Sequence, residues 1–336
     1  MRSWLALGAL CALACGAQKP EAATAPTGAT TSAVTTPTPA LEPWLTQLDR
    51  DSALVGKIWD VKAGAFVEPG VMFARLAAAR FVLLGERHDN PDHHRLQGRV
   101  IAALVKAGLR PAVVLEMLEV AQQPDVDQYL ARSDASAAGF GVALGWEKTS
   151  WPPFKEYQPI FEAAFAGGLR IVAGNLAQAD AKALVKEGAG ALSPERLRRL
   201  WLDQAFPPAL QARLVDELRA SHCGQLPEDL LAPMALAQHA RDAQMAEALV
   251  GDHTQAGVLI CGGGHARLDH GVPYYLGLDM PGARVSSLSF REVRHGDADP
   301  KAYAADEGPF DYVWFTPRGS DEDPCGAFMH KKVEPK

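Results

Sequence analysis

The stretch F81-V-L-L-G-E-R-H-D-N-P-D-H-H94 decides the fold. Four apolar residues run into Gly85, and a dense polar segment follows with Glu86, His88, Asp89, Asp92, His93 and His94. An apolar run without alternation suits a strand covered on both faces, as in a parallel sheet. Asn90 then offers a side-chain cap, and Pro91 suits the first turn of a helix. Leu96, Val100, Ile101 and Leu104 fall on one helical stripe, and Gly108 closes that helix ahead of a second apolar run. The stretch therefore opens a strand–helix–strand unit.

Three further runs have the same character: A112-V-V-L-E-M117, R170-I-V-A-G-N175 and G257-V-L-I-C-G262. The third strand is preceded by a helical segment, F154 to A166, that ends in Gly167 and Gly168. This alternation predicts an α/β fold with a largely parallel or mixed central sheet flanked by helices. The β-rich segments R284-V-S-S-L-S-F290 and D311-Y-V-W-F-T316 would extend the sheet. From about 177 to 250 no strand is evident and the pattern is helical, so residues 43–336 read as one domain with a helical insertion. No internal repeat is visible.

The N-terminus has a different composition. M1-R-S-W-L-A-L-G-A-L-C-A-L-A14 has one positive charge and then a short apolar core, too short to span a bilayer at ~20 residues but suited to a signal peptide. It runs into A12-L-A-C15-G, which resembles a bacterial lipobox with alanine where leucine is usual. That resemblance implies cleavage before Cys15 and lipidation of its thiol; ordinary secretion with cleavage elsewhere is the alternative. Residues 16 to about 42 are rich in Ala, Thr and Pro, a composition that cannot offset its ordering entropy and reads as a tether, so 15–42 is expected to be a lipidated, disordered linker. The expected partner is a membrane surface in the bacterial cell envelope. A net charge of −7 with no long basic run argues against nucleic acid.

In an oxidising compartment two of the remaining cysteines are expected to pair. Cys261 sits inside V258-L-I-C and reads as a buried strand residue. Cys223 and Cys325 occupy loop-like contexts, S221-H-C-G and D323-P-C-G, and are the expected disulfide. No CxxC occurs, so neither a zinc ribbon nor covalent haem attachment is indicated.

Ligands of open α/β sheets gather at the carboxyl ends of the strands. The four main runs end at Glu86–His88, Glu116, Asn175 and G262-G-G-H265-A-R267, so parallel strands would bring Glu86, His88, Glu116, Asn175, His265 and Arg267 to one rim. A capping or arginine-paired Glu86, and a hydrogen-bonded loop His88, are the plain alternatives. Glu116 is harder to dismiss, because a carboxylate on an apolar strand is costly to bury unpaired. Only one of His93 and His94 is expected to face the rim, the other being solvated; spacing does not choose between them. His239 and His253 read as surface residues. The glycines before His265 would let the backbone approach a flat ligand or a substrate closely. Glu86, His88, Glu116 and His265 could hold a divalent metal through mixed N/O ligation, or act as general acid and base without one. HExxH, G-x-S-x-G and P-loop motifs are absent.

The G85-E-R-H-D-N-P-D-H-H-R-L-Q97 block, the L115-E-M strand end, Q238-H-A-R-D-A-Q-M-A246 and G262-G-G-H-A-R-L-D-H-G-V-P273 together resemble the ChaN-like lipoproteins of the haem-binding uptake and Tiki superfamily, relatives of TraB-type proteins and erythromycin esterases. The resemblance covers about residues 50 to 330. It implies an envelope lipoprotein binding non-covalent b-type haem or an iron complex, with an outer-membrane receptor or transporter as partner and a homodimer as an allowed state. It maps a polar centre onto Glu86, His88, Glu116, His265 and Arg267, which in the Tiki and esterase branches carries metal-dependent proteolysis or ester hydrolysis. Its haem ligand could be a tyrosine or histidine on a surface cleft, with Tyr274, Tyr275 and His270 as candidates and plain packing as the alternative for the tyrosines. The expected function is haem or iron uptake; a metal-dependent hydrolase is the second expectation.

Overall fold

The computed structural model describes residues 43–251, 256–322 and 325–326. The signal peptide, Cys15, the tether and His253 lie outside the described residues. Eight strands are formed: β1 (Ile58–Asp60), β2 (Ala65–Val67), β3 (Phe81–Glu86), β4 (Ala112–Glu119), β5 (Ile171–Asn175), β6 (Gly257–Gly262), β7 (Val285–Glu292) and β8 (Tyr312–Thr316). They make one mixed sheet in the order β2-β1-β8-β7-β3-β6-β4-β5. Strands β3 to β8 run parallel, and the β1–β2 hairpin joins antiparallel through β8. The α/β expectation holds, and the antiparallel hairpin makes the sheet mixed.

The helices are α1 (Pro69–Leu76), α2 (Pro91–Lys106), α3 (Gln123–Leu130), α4 (Ala137–Ala143), α5 (Phe154–Ala166), α6 (Gln178–Glu187), α7 (Pro194–Arg199), α8 (Pro208–Ser221), α9 (Glu228–Val250), α10 (Val272–Asp279) and α11 (Pro300–Glu307). Asn90 caps α2 as its residue type suggests, its side chain accepting the Asp92 N–H at 3.0 Å. Alternating strand residues feed two cores. Val82, Leu84, Val113, Leu115, Val258 and Ile260 pack under α1, α2 and α5. Phe81, Leu83, Val114, Leu259 and Cys261 pack under α6, α9 and α10. Helices α2 and α5 cross closely at Gly98, where a Cβ would lie 2.6 Å from the Pro159 carbonyl oxygen; Gly98→Ala would force them apart.

The helical segment after β5 is not an appendage. Its last helix, α9, covers one face of the sheet, while α8 and the start of α9 share a small separate cluster of Leu214, Leu218, Leu231 and Ala235. Cys223 and Cys325 are bonded, and Cys261 is free and buried. Among the described residues no helix is long and apolar enough to cross a membrane.

Two features place the site. From β3 the chain crosses to β4 on one side, whereas from β6, the neighbour of β3, it crosses to β7 on the other. This divergence leaves a crevice at the carboxyl ends of β3 and β6. In addition, the β4–β5 register slips after Leu115, and β4–β6 pairing ends at Leu115–Ile260. The irregularity frees Glu116 from the ladder and aims it back over β6.

Candidate polar site at the carboxyl edge of the sheet

Glu86 ends β3 fully buried among three donors. Its Oε1 meets His88 Nδ1 at 2.9 Å and accepts the Tyr157 hydroxyl at 2.9 Å; its Oε2 lies 3.4 Å from His94 Nε2. Burial alone would raise this carboxyl. The His94 and His88 imidazoles outweigh burial and bring it down to about 2. The His94 ring stacks on Tyr157 with centroids 3.8 Å apart.

Glu116 is held by different partners. Its Oε2 accepts the Gly262 N–H at 2.8 Å, and its Oε1 accepts Arg241 Nη2 at 2.5 Å and faces His265 Nε2 at 3.4 Å. Burial would raise it, but His265 first, then His88 and Arg241, hold it well below the usual carboxylate range. His265 donates from Nδ1 to Asp242 at 2.5 Å. Although burial opposes its charge, Glu116 and Asp242 push His265 up to about 10, so it is an imidazolium at neutral pH. Asn175 at the end of β5 donates to the Glu116 carbonyl at 2.8 Å and accepts from Arg241 at 3.1 Å.

His88 joins the two carboxylates, with Nε2 3.9 Å from Glu116 Oε2. Burial lowers it, yet the bond to Glu86 and the charge of Glu116 leave it raised overall. Its side chain is 34% exposed, whereas that of His265 is only 14% exposed. Trp151 sits edge-on to it at 4.9 Å. The result is a chain of acids and bases, Asp242–His265–Glu116–His88–Glu86–His94, bordered by a cleft of about 210 Å³ lined by His88, Asp242, His265, Glu217, Leu214 and Leu218.

Several expectations are corrected. Neither His93 nor His94 is solvated: both are fully buried, because the first turn of α2 is covered by β8 on one side and α5 on the other. His94 faces Glu86, while His93 accepts the Arg87 N–H at 3.0 Å, pairs with Thr316 at 2.9 Å, and is lowered by burial to about 3. His239 is buried as well, against Phe206 and Gln211, and burial lowers it to about 4. Arg87 turns to Asp89 and Glu292, not to Glu86. Arg267 is at the margin of the centre, paired with Asp269 at 2.9 Å and 3.9 Å from Glu217.

The glycine turn makes room for the protein itself. A Cβ on Gly262 would lie 3.0 Å from His88 Nε2, and one on Gly264 would lie 2.6 Å from Glu217 Oε1. His270 is buried with Nε2 3.1 Å from Glu217, and Tyr275 is buried with its phenol raised by burial. Tyr274 is half-buried against Phe206 at 4.8 Å. Among the described residues no group of three or more His, Cys, Asp or Glu is disposed to hold a metal. Glu116 is turned to Arg241 and a backbone N–H, and His265 carries a proton toward Asp242.

Sequence reasoning missed Tyr157, Arg241 and Asp242. Adjacent opposite charges inside the alanine-rich helix A237-Q-H-A-R-D-A-Q were the available signal for the last two.

Among solved structures, the chain is similar to the haem-binding ChaN of Campylobacter jejuni, in which haem is described as bound cofacially: 22% identity, a TM-score of 0.61, and coverage of 76% of this chain and 95% of that one. A mutant of the erythromycin esterase EreC in its open conformation (15% identity, TM-score 0.35, 66% of this chain and 72% of that one) and the RRSP toxin effector domain of Vibrio vulnificus (16%, 0.39, 78% and 42%) also match. The Campylobacter likeness supports the fold, and the other two scores carry no weight. A search of curated proteins finds no significant match. A family model described as haem-binding uptake, Tiki superfamily, ChaN matches residues 72–276, more than half of the chain and every strand of the polar centre, and the protein belongs to that family.

Proposed function

We propose that the protein binds haem or an iron complex at the cell envelope as part of an uptake system. The family match over residues 72–276 carries this reading, and the Campylobacter relative, described as binding haem cofacially, supports it. The cleft beside the polar centre, about 210 Å³, is smaller than the ~300–1,000 Å³ of pockets that enclose drug-sized ligands. The polar centre does not fit a porphyrin, and haem as cargo would rest on an open face. Of the candidate ligands, His270 and Tyr275 are buried, which leaves Tyr274 as the accessible one. The lipid anchor at Cys15, a membrane receptor or transporter and a homodimer are parts of the same proposal. Titrating residues 43–336 with hemin should shift the Soret band, and Tyr274→Phe should alter it. No shift at micromolar hemin overturns the reading. Cys15→Ser should release the full-length protein from the membrane fraction.

A second reading is favoured by a separate observation. Buried, mutually shifted acids and bases beside a cleft at the switch point of a sheet are a signature of acid–base chemistry. Here His88, the most open member, would transfer the proton, with Glu86 orienting it. Hydrolysis of small esters or peptides, lost in His88→Ala, would support a hydrolase. No turnover across such a panel ends it.

A further inference from the structure

The cleft has an asymmetric wall. On one side are the polar centre and the turn 262–270; on the other is α8, which contributes Leu214, Glu217, Leu218 and Ser221. Helix α8 is only loosely part of either main core. Its Leu214 and Leu218 pack with Leu231 and Ala235 from the first turns of α9, whereas Ala237, Ala240, Ala243 and Ala246 further along α9 belong to the sheet core. Pro233 stands inside α9 between Leu231 and Ala235, within the small cluster and ahead of the residues that join the sheet core. It lacks the N–H that would bond back to the Asp229 carbonyl, so the ladder misses a rung in the opening turns of α9, before the helix settles on the sheet core. At the other end, Pro207 and Pro208 punctuate the approach to α8.

Polar contacts hold this hairpin against the site. Glu217 faces His270 at 3.1 Å, lies 3.9 Å from Arg267, and rests over Gly264, where only a glycine leaves it space. Arg213 donates to Asp269 at 2.9 Å, and Gln211 pairs with His239 at 2.9 Å. Just past the end of α8, Cys223 is bonded to Cys325. Few buried apolar contacts, a separate small core and mostly polar fastenings mark a segment that opens at less cost than the domain.

We infer that α8 with the first turns of α9 is a cover over the polar centre, latched to the 264–270 turn by Glu217 and Arg213 and moored by the Cys223–Cys325 bond. Shut, it leaves room only for a small ligand between Leu214, Leu218 and the imidazoles. Opening about Pro233 and Pro207 bares His265, Asp242 and the inner edge of His88 to a larger one. The inference does not rest on the haem reading.

Hydrogen exchange on the full chain tests it. Amides of 208–235 should exchange faster than those of α2 and α5. In a Glu217→Gln, Arg213→Gln protein that difference should widen by about tenfold while α2 and α5 hold their rates. Gln238 of α9 also lines the cleft, and a cysteine placed there, Gln238→Cys, should be alkylated by a maleimide correspondingly faster when the latch is removed. Cys223→Ser with Cys325→Ser should act in the same direction. If that protein does not fold, the latch variant, which keeps the disulfide, decides alone. Exchange of 208–235 at core rates in all variants overturns the cover, and so does opening of α8 with Gln238→Cys alkylation unchanged.

Discussion

Glu86 and Glu116 invite comparison, because each ends an apolar run, each is sealed from solvent, and each is ionised well below the usual range. Their surroundings differ. Glu116 is held by a guanidinium, a backbone N–H and a histidine that is itself fixed as a cation by Asp242. Glu86 has no guanidinium; its partners are two imidazoles and a phenol. The Glu116 half is therefore a locked ion network, and the Glu86 half is a softer one with only imidazoles and a phenol to answer its charge. His88, which touches both, is the one ring open to the cleft to a substantial extent.

The largest effect should come from breaking the locked half. Glu116→Ala leaves Arg241 and the His265 imidazolium without their shared partner. Removing one side of a buried charge pair costs about 3–5 kcal/mol, so the urea midpoint should fall by much of the domain's stability. A loss under about 1 kcal/mol would mean that Glu116 is solvated in a way its contacts deny.

The pH profile separates the halves next. His265 titrates near 10 in the fold against 6.5 ordinarily. Its contribution is thus complete below 6.5 and is lost as pH rises from 6.5 through about 10. Glu86 titrates near 2 against 4.5, so its contribution is complete above 4.5 and is lost as pH falls from 4.5 through about 2. His93 and His239, held neutral to about 3 and 4, add to the acid side, because the unfolded chain takes up their protons already below 6.5. Thermal midpoints should therefore peak around pH 6.5 and decline on both sides. In Glu116→Gln the alkaline decline should flatten while the acid one persists. If both flatten together, the halves are one network and the comparison fails.

How much of this was legible follows from where each partner comes from. The rim itself could be read locally, since strand ends announce themselves as apolar runs meeting Glu86, Glu116, Asn175 and His265. What covers that rim could not. His93 and His94 look alike on the first turn of α2, and their burial is set by Thr316 and Tyr157, 223 and 63 positions away along the chain. The glycines of 262–264 signalled close approach correctly, but sequence does not say whether a ligand or the side chains of His88 and Glu217 approach. The rim residue types suited metal ligation, but sequence does not say that Arg241 and Asp242, brought in by α9, bond to Glu116 and to His265 Nδ1.

A smaller effect is expected from the softer half. Glu86→Gln keeps an acceptor for Tyr157 and removes the charge that faces the His88 and His94 imidazoles. The cost should be about 1–3 kcal/mol, the range for disturbing a buried hydrogen bond to a charged group, and below that of Glu116→Ala. His88 should titrate lower in this protein, since the bond to Glu86 is what raises it most against burial. Equal costs at the two glutamates would remove the distinction between the locked half and the softer one.

The finest test is Tyr157→Phe. It keeps the ring that stacks on His94 and deletes only the hydroxyl that donates to Glu86 at 2.9 Å. The phenol is held neutral by burial and by Glu86 itself, so the change removes a donor and no charge. Stability should fall by about 1–2 kcal/mol. With the hydroxyl gone, the Glu86 charge is answered by the imidazoles alone, so the His88 titration read by NMR should move upward, opposite to its direction in Glu86→Gln. A downward move in both proteins would show that Tyr157 orders His88 through packing and not through the proton it lends to Glu86.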